Sequence, residues 1–172
     1  MLRLCSAAPA SVASSGVTDT AAPPPTAERQ HLTHEQLAAW RGFLRAHATI
    51  IRKLEVELEA EQQLSLASYD VLVQLAEAPE RRLRMTELAD AVLLSRSGIT
   101  RLVDRLEKVG LVARCRVESD GRGVAARLTE AGLDRLRRAS RTHLAGVGRH
   151  FVARLDASDL GALERITRRL VD

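Results

Sequence analysis

The chain has few aromatic residues and no long apolar run, and each shortage excludes a class of protein. Aromatic residues make up 2% of its 172 residues although the hydrophobic fraction is 45%. Any core therefore consists mainly of leucine, alanine and valine, as is typical of a mostly helical domain. No run of about 18 apolar residues is present, so the sequence predicts no membrane-spanning helix and no membrane partner.

Cysteine is also scarce. Cys5 and Cys115 are too few for a disulfide framework, and they fall in a predicted tail and a predicted strand. The opening residues include a basic side chain and small residues, as signal peptides do, but Ser6 and Pro9 interrupt the apolar segment. We therefore expect a protein of the reducing cytoplasm.

The usual motifs of catalysis are missing as well. We find no phosphate-binding glycine loop, no nucleophile elbow, no metal-ligand motif and no paired carboxylates in a defined site. The sequence therefore predicts a protein that is not an enzyme and needs no cofactor, and it turns attention to binding functions.

The net charge of +4 is concentrated in one segment of the chain. Between Leu94 and Arg127 there are eight basic and four acidic residues, so this segment accounts for the whole excess. A local cluster of positive charge is the expected signature of a surface that contacts nucleic acid.

Four segments follow from composition and periodicity. Residues 1–30 are rich in Ala, Ser, Thr and Pro and are predicted to be a disordered tail. Residues 31–64 are predicted to form a long dimerisation helix, whose apolar stripe would pack either inside one subunit or along a second long helix. That stripe comprises Leu37, Trp40, Leu44, His47, Ile51, Leu54 and Leu58.

Residues 65–128 are predicted to form a compact lobe of three helices and a hairpin. We expect Ser68, Thr86 and Ser95 to be the N-caps of the three helices, and Gly110 to follow the last one. Alternation of apolar and polar residues on both sides of "ESDGRG" predicts a β-hairpin over 111–129.

Residues 129–172 are predicted to form two further helices that complete the dimerisation region. The first has an apolar face from Leu133 to Leu155 and contains Gly146 and Gly148, which would let another helix approach closely. Asp156 or Ser158 is expected to cap the second helix, with Leu160, Leu163, Ile166 and Leu170 facing inward.

Two helices, a tight connection, a third helix and a two-stranded wing are the order of a winged helix-turn-helix. The fold class is therefore predicted to be mostly α with a small β-wing, flanked by long terminal helices. In such a lobe the helix starting near Ser95 enters the major groove of double-stranded DNA. The expected contacts on this helix come from Ser95, Arg96, Ser97, Thr100, Arg101 and Arg105. Arg122, between two glycines at the hairpin tip, suits a narrow minor groove.

The segment "LSRSGITRLVDRLEKVGLVARCRVESDGRGVAARLTEAG" resembles the core signature of the MarR family of bacterial transcription regulators. The resemblance implies a homodimer held by the first and last helices, which binds a palindromic operator, acts as a repressor and is released by a small organic ligand. It also implies that Asp120 and Arg122 organise the wing. Gly121 departs from the pattern, because many members have another arginine there, and it predicts weaker contact between wing and DNA.

The ligand cleft implied by the resemblance lies between the dimerisation helices and the DNA-binding lobe. Its candidate residues are Trp40, Arg45, His47 and Tyr69, because aromatic rings and one cation suit a small aromatic or phenolic anion. The alternative interpretation of Trp40 and Tyr69, which their residue types favour, is that they are ordinary core or dimer-seam residues.

Three alternatives compete with this function. Five histidines invite a metal site, but three or four converging ligands are not evident, so we predict no metal. A cysteine-based redox sensor would need a cysteine in the first helix, where the sequence has none. The competing function is a winged-helix module for protein interaction without sequence-specific DNA binding.

Overall fold

The computed structural model describes residues 31–116 and 123–171. The predicted tail, Cys5, Asp120 and Arg122 lie outside these residues. The described helices and strands are α1 (His34–Gln62), α2 (Leu66–Glu77), β1 (Arg82–Arg84), α3 (Met85–Ala91), α4 (Arg96–Lys108), β2 (Val112–Arg116), β3 (Val124–Leu128), α5 (Glu130–His150) and α6 (Ala157–Val171). The predicted class, mostly α with a small β-wing, is confirmed.

Two of the predicted helix caps are wrong. Helix α2 begins after Ser65, whose Oγ accepts a hydrogen bond of 3.2 Å from the backbone N–H of Ser68. Ser68 therefore lies inside the first turn. Helix α3 begins at Met85 rather than after Thr86, and Glu87 Oε2 accepts from the backbone N–H of Arg84 at 2.9 Å. At α2 another serine accepts from a free amide of the first turn, and at α3 Glu87 accepts from the amide of the residue before the helix.

Other caps lie at or near their predicted positions. Ser95 caps α4, and Gly110 follows its end with a φ of +74°, a conformation that favours glycine. Asp156 Oδ1 accepts from the backbone N–H of Asp159 at 2.8 Å, so the first of the two proposed residues caps α6. Helix α5 is shorter than the predicted apolar face, because it ends at His150 and a 3-10 turn over Val152–Arg154 follows.

The sheet has three antiparallel strands in the order β1-β3-β2. The predicted hairpin forms, with Val112 opposite Leu128 and Arg116 opposite Val124. The third strand, β1, was not predicted from the sequence. It pairs Leu83 with Ala126, and the strand is only three residues long. Such a short strand has no alternation from which sequence could predict it.

The motif "LTEAG" joins the hairpin to α5 by specific contacts. Thr129 caps α5 by accepting from the backbone N–H of Gly132 at 2.9 Å, and its hydroxyl donates to the carbonyl of Gly110 at 2.7 Å. A Cβ at Gly132 would collide with the carbonyl of Leu111 and with Leu128. This position therefore requires glycine so that α5 can lie against the base of the wing.

Helix α5 lies along α1, and Gly146 allows their close contact. A Cβ there would come within 2.7 Å of Leu54 and 2.6 Å of Glu57, whereas one at Gly148 would meet nothing within 4 Å. Glu57 accepts from Arg149 at 2.8 Å and contacts His150 at 2.7 Å. The hydrogen bond with His150 is the main cause that lowers the pKa of Glu57. The expected close approach is therefore confirmed at Gly146 alone.

The core lies in the lobe and does not reach the ends of the chain. It joins the C-terminal half of α1 to α2, α3, α4, the sheet and the first turns of α5. Its fully buried side chains include Leu58, Leu72, Leu75, Leu88, Ile99 and Val103. By contrast, α6 has no buried residue. Within the described residues, no helix is long and apolar enough to cross a membrane.

Candidate nucleic-acid interface

Helix α4 begins with a compact serine cap. Ser95 has an extended backbone, and its Oγ accepts from the backbone N–H of Gly98 at 3.1 Å. Ser97 Oγ lies 3.2 Å from Ser95 Oγ, and both residues are exposed. Because these side chains are small, another molecule has direct access to the first turn and its partial positive charge.

The two faces of α4 differ sharply in polarity. Its inner face is buried and consists of Ile99, Leu102, Val103 and Leu106. The opposite face is exposed and carries Arg101, Arg105 and Lys108, while Arg96 is exposed at the first helical position, about a third of a turn or more around the axis from them. Among the described residues, none of these four cations forms an ion pair. Three positive charges on one exposed helical face, with a fourth at the start of the helix, form a surface for a polyanion.

Thr100 is placed differently from the arginines. Its hydroxyl donates to the carbonyl of Arg96 at 2.8 Å, one turn earlier in the same helix. The side chain is exposed and its oxygen remains free to accept. Asp120 and Arg122, the predicted wing residues, are not among the described residues, so their role remains a prediction.

Sequence reasoning missed the ion network that joins α4 to the wing. Arg114 Nη1 on β2 lies 2.5 Å from Asp104 Oδ1 and 2.8 Å from Glu107 Oε2. The backbone N–H of Arg114 donates to Glu107 Oε1 at 2.9 Å, which is the main cause that lowers the pKa of Glu107. Arg114 Nη2 also donates to the carbonyl of Thr100 at 3.3 Å. The available signal was the spacing of Thr100, Asp104 and Glu107, which puts them on one stripe of α4.

The four ligand candidates do not converge within one protomer. His47 lies on the wall of an apolar groove of about 540 Å³ between α1 and α6. Trp40 and His47 flank Phe43, with ring centroids 6.2 and 6.4 Å from it, and Arg45 is exposed on the same helix. The groove is lined by Phe43, Ala46, His47, Ile50, Ile51, Phe151, Leu160, Leu163, Glu164 and Thr167.

Tyr69 belongs to a separate cluster between α2 and α5. Its ring stacks on His143 at 4.5 Å between centroids, and its hydroxyl donates to Ser140 at 3.3 Å. Nδ1 of His143 is buried and has no hydrogen-bond partner among the residues that the structure describes, and burial lowers the pKa of this side chain. Partial desolvation likewise raises the pKa of the neighbouring Asp70. His47 and His143 therefore lie in different clusters, although the sequence had allowed them to face each other.

The alternative sites have little support in the described residues. No group of three or more His, Cys, Asp or Glu side chains in this part of the chain is arranged to hold a metal ion. Cys115 is partly buried on β2, and its thiol lies 3.7 Å from the carbonyl of Ala125.

Comparison with known proteins decides the family. The MarR family model matches residues 62–123, from the end of α1 into the wing. The structure of Sco3205, a MarR family transcriptional regulator from Streptomyces coelicolor in complex with DNA, is 36% identical to this chain. The two structures superpose with a TM-score of 0.79, and the match covers 85% of this chain and 91% of the Sco3205 chain. The chain belongs to the MarR family.

Two further relatives of this MarR-family protein agree. AbsC, a MarR family transcriptional regulator from Streptomyces coelicolor, is 35% identical with a TM-score of 0.76, over 83% of this chain and 95% of its own. The HTH-type transcriptional regulator PecS of Dickeya dadantii is 28% identical over 68% of this chain and 70% of its own length. The protein is therefore a transcriptional regulator and not an enzyme, as the sequence predicted.

Proposed function

We propose that this protein binds double-stranded DNA sequence-specifically, as a homodimer on a palindromic operator, with α4 in the major groove. The exposed cationic face of α4 is the observation that supports this most directly, because Arg101, Arg105 and Lys108 share it and none of them has a carboxylate partner among the described residues. A relative that is 36% identical was solved in complex with DNA, which supports the same function.

Different residues of α4 have different tasks in this proposal. The capped first turn, with Ser95, Ser97 and Arg96, binds the phosphate backbone, while Arg101 contacts a base edge. An arginine there can donate two parallel hydrogen bonds to O6 and N7 of guanine. Arg105 lies one turn further on and binds phosphate. Asp120 would orient the wing and Arg122 would enter the minor groove.

The homodimer is supported by apolar side chains that one protomer leaves uncovered. On α1, Trp40 is 55% exposed and Phe43 47%, and on α6 Leu170 is 70% exposed. Phe43 lines the apolar groove between α1 and α6, Trp40 stacks on Phe43, and Leu170 lies near the end of α6. A two-fold dimer would bury them by placing the same helices of a second protomer against them. The half-sites would then be about 34 Å apart.

A gel shift on the DNA upstream of the protein's own gene tests the central claim. A specific, saturable shift that a scrambled duplex does not compete away is expected. Protein that binds neither duplex would favour the protein-interaction module instead. Light scattering tests the dimer, and a stable monomer at micromolar concentration would contradict it.

We further propose that a small aromatic or phenolic anion regulates DNA binding from the region between the dimerisation helices and the lobe. Trp40, Arg45 and His47 would supply rings and one cation from α1, and Tyr69 would contribute from α2. Such a ligand changes DNA binding only if it binds more tightly to the dimer with one spacing between its two α4 helices than to the dimer with another spacing. A panel of aromatic carboxylates and phenols that neither raises the melting temperature nor releases DNA would argue against this regulation.

Repression is the expected direction, because a dimer on an operator obstructs RNA polymerase. A reporter under the operator should then be more active in a strain that lacks the protein.

A further inference from the structure

Arg114, on strand β2 of the wing, makes all of its described side-chain contacts with α4. Its guanidinium contacts Asp104, Glu107 and the carbonyl of Thr100, and its backbone N–H donates to Glu107. The three partners on α4 are spaced four and three residues apart, so they form one stripe two turns long. Arg114 therefore contacts the helix along more than half of its length.

We propose that Arg114 is a positioning residue that fixes the rotation of α4 about its own axis, and thereby the direction in which Arg101 and Arg105 face DNA. This inference rests on the proposed DNA-binding function. Arg101 and Arg105 each follow a residue of the contacted stripe in the sequence, so they project from the neighbouring face of the helix. Any rotation of the stripe turns both arginines by the same angle.

Small rotations matter for base recognition. A helix with its side chains is about 11 Å across, so a rotation of about 20° moves a side-chain end by about 2 Å. A shift of that size breaks a hydrogen bond to a base edge, because N–H···O distances span only about 2.7–3.2 Å. The buried face of α4 resists separation from the lobe, but apolar contacts have little directionality. The directional bonds of Arg114 supply what the core does not.

The exposure of the network separates positioning from stability. The side chains of Arg114, Asp104 and Glu107 are 26%, 46% and 40% exposed. Ion pairs that are this accessible to water add little to the free energy of folding, because solvent screens them. Loss of one partner should therefore leave the lobe folded, since Ile99, Leu102, Val103 and Leu106 still hold α4 in the core.

Charge allows a test in which positioning and simple electrostatics predict opposite results. Glu107→Gln removes a negative charge beside the proposed DNA surface while it keeps the size of the side chain. Simple electrostatics predicts that this variant binds every duplex more tightly. Positioning predicts that it loses discrimination between duplexes, because Gln has a single acceptor oxygen and keeps only one of the two hydrogen bonds that Glu107 accepts from Arg114.

The experiment uses the full chain and a duplex selected in vitro by the wild-type protein, with a scrambled duplex of the same composition. The affinity ratio of selected to scrambled DNA is measured at several salt concentrations for wild type, Glu107→Gln, Arg114→Gln and Arg114→Lys. The matched control is Arg137→Gln. Arg137 forms an exposed ion pair with Asp134 on α5, and its substitution removes the same charge as Arg114→Gln. Circular dichroism and the melting temperature confirm that each variant is folded.

We expect the ratio to fall by about tenfold in Glu107→Gln and Arg114→Gln, the size of one lost base contact. Scrambled DNA should bind Glu107→Gln at least as tightly as wild type. Arg114→Lys should recover part of the ratio, because a single ammonium cannot reach all three partners. Arg137→Gln should keep the wild-type ratio.

Two results would overturn the inference in different ways. Equal ratios for wild type and both Gln variants would show that Arg114 does not position α4, while the proposed DNA binding would stand. Failure of the wild type to select any duplex would overturn the proposed function and this inference with it.

Discussion

The winged helix-turn-helix lobe and the terminal helices have similar apolar patterns, but they differ in how far the chain buries those side chains. Leu58 on α1 is fully buried in the lobe, whereas Leu44, two heptads earlier on the same predicted stripe, is 44% exposed. Helix α4 buries its four apolar residues within the chain, whereas α6 buries none. The lobe thus covers its own apolar faces, whereas the terminal helices leave an apolar surface exposed. Periodicity identifies an apolar face, but it does not say whether the chain itself covers it.

The largest expected effect separates the two halves of α1. Leu58→Ala should lower the free energy of unfolding by about 2–5 kcal/mol, because it leaves a cavity in a closed core. Leu44→Ala should cost about 0.5 kcal/mol within one protomer, and any further loss should grow with protein concentration as assembly contributes. Urea unfolding at several concentrations measures both. If both variants lost the same free energy of unfolding at every protein concentration, the two halves of α1 would not differ in this way.

A charge in the apolar groove should break the proposed dimer. Phe43→Glu places a carboxylate on the groove wall, so the dissociation constant of the dimer should rise by about a hundredfold. Val124→Glu is the control, because Val124 is similarly exposed, at 43%, but lies on β3. Sedimentation velocity reports the change. An intact dimer in Phe43→Glu would place the interface elsewhere.

On the DNA-binding side, Arg101 and Arg122 should differ in what they contribute. Arg101→Ala should cost about 1–3 kcal/mol on the operator and relax preference at one base pair per half-site. Arg122→Ala should weaken operator and random DNA alike and flatten the salt dependence, because fewer counterions are released. Titration against matched and scrambled duplexes distinguishes them. Equal weakening of both duplexes by Arg101→Ala would contradict its base contact.

Two glycines of α5 test how closely the long helices pack. Gly146→Ala should destabilise the protein by about 1–3 kcal/mol, because the methyl group would collide with Leu54 and Glu57. Gly148→Ala, two residues away with open space around it, should instead stabilise by about 0.5–1 kcal/mol. Thermal unfolding gives both values. The same sign for both variants would show that the contact with α1 is not tight.

The smallest expected effect is a pH dependence from His143. Burial lowers its pKa in the folded state below the ordinary value of 6.5, so the unfolded chain binds more protons below that pH. Stability should therefore fall as the pH drops from 6.5 through the lowered value. His143→Phe keeps a ring against Tyr69 and should flatten this decline in melting temperature. An unchanged pH profile would assign the decline to other groups.

Local signals in the sequence predicted most of the helices, the hairpin and the cationic face of α4. Errors arose where two candidates for the same task are adjacent, as with Ser65 and Ser68, because both can cap and only the packing of α2 selects one. The exposure of Arg101 and Arg105 was predictable because their spacing is local. Their lack of an ion pair with any described residue was not, since it depends on Arg114 engaging Asp104 and Glu107 from another element.

The sequence by itself determined the order of elements, the family signature and the amphipathic faces, because these depend on residues a few positions apart. Only the tertiary structure decided which apolar faces are covered, since Leu58 and Leu44 belong to one pattern and differ only in what lies opposite. It also decided that β1 joins the sheet, that Gly146 and not Gly148 admits α1, and that Arg114 contacts α4. Each of these depends on distances between residues far apart in the chain, which no local periodicity contains.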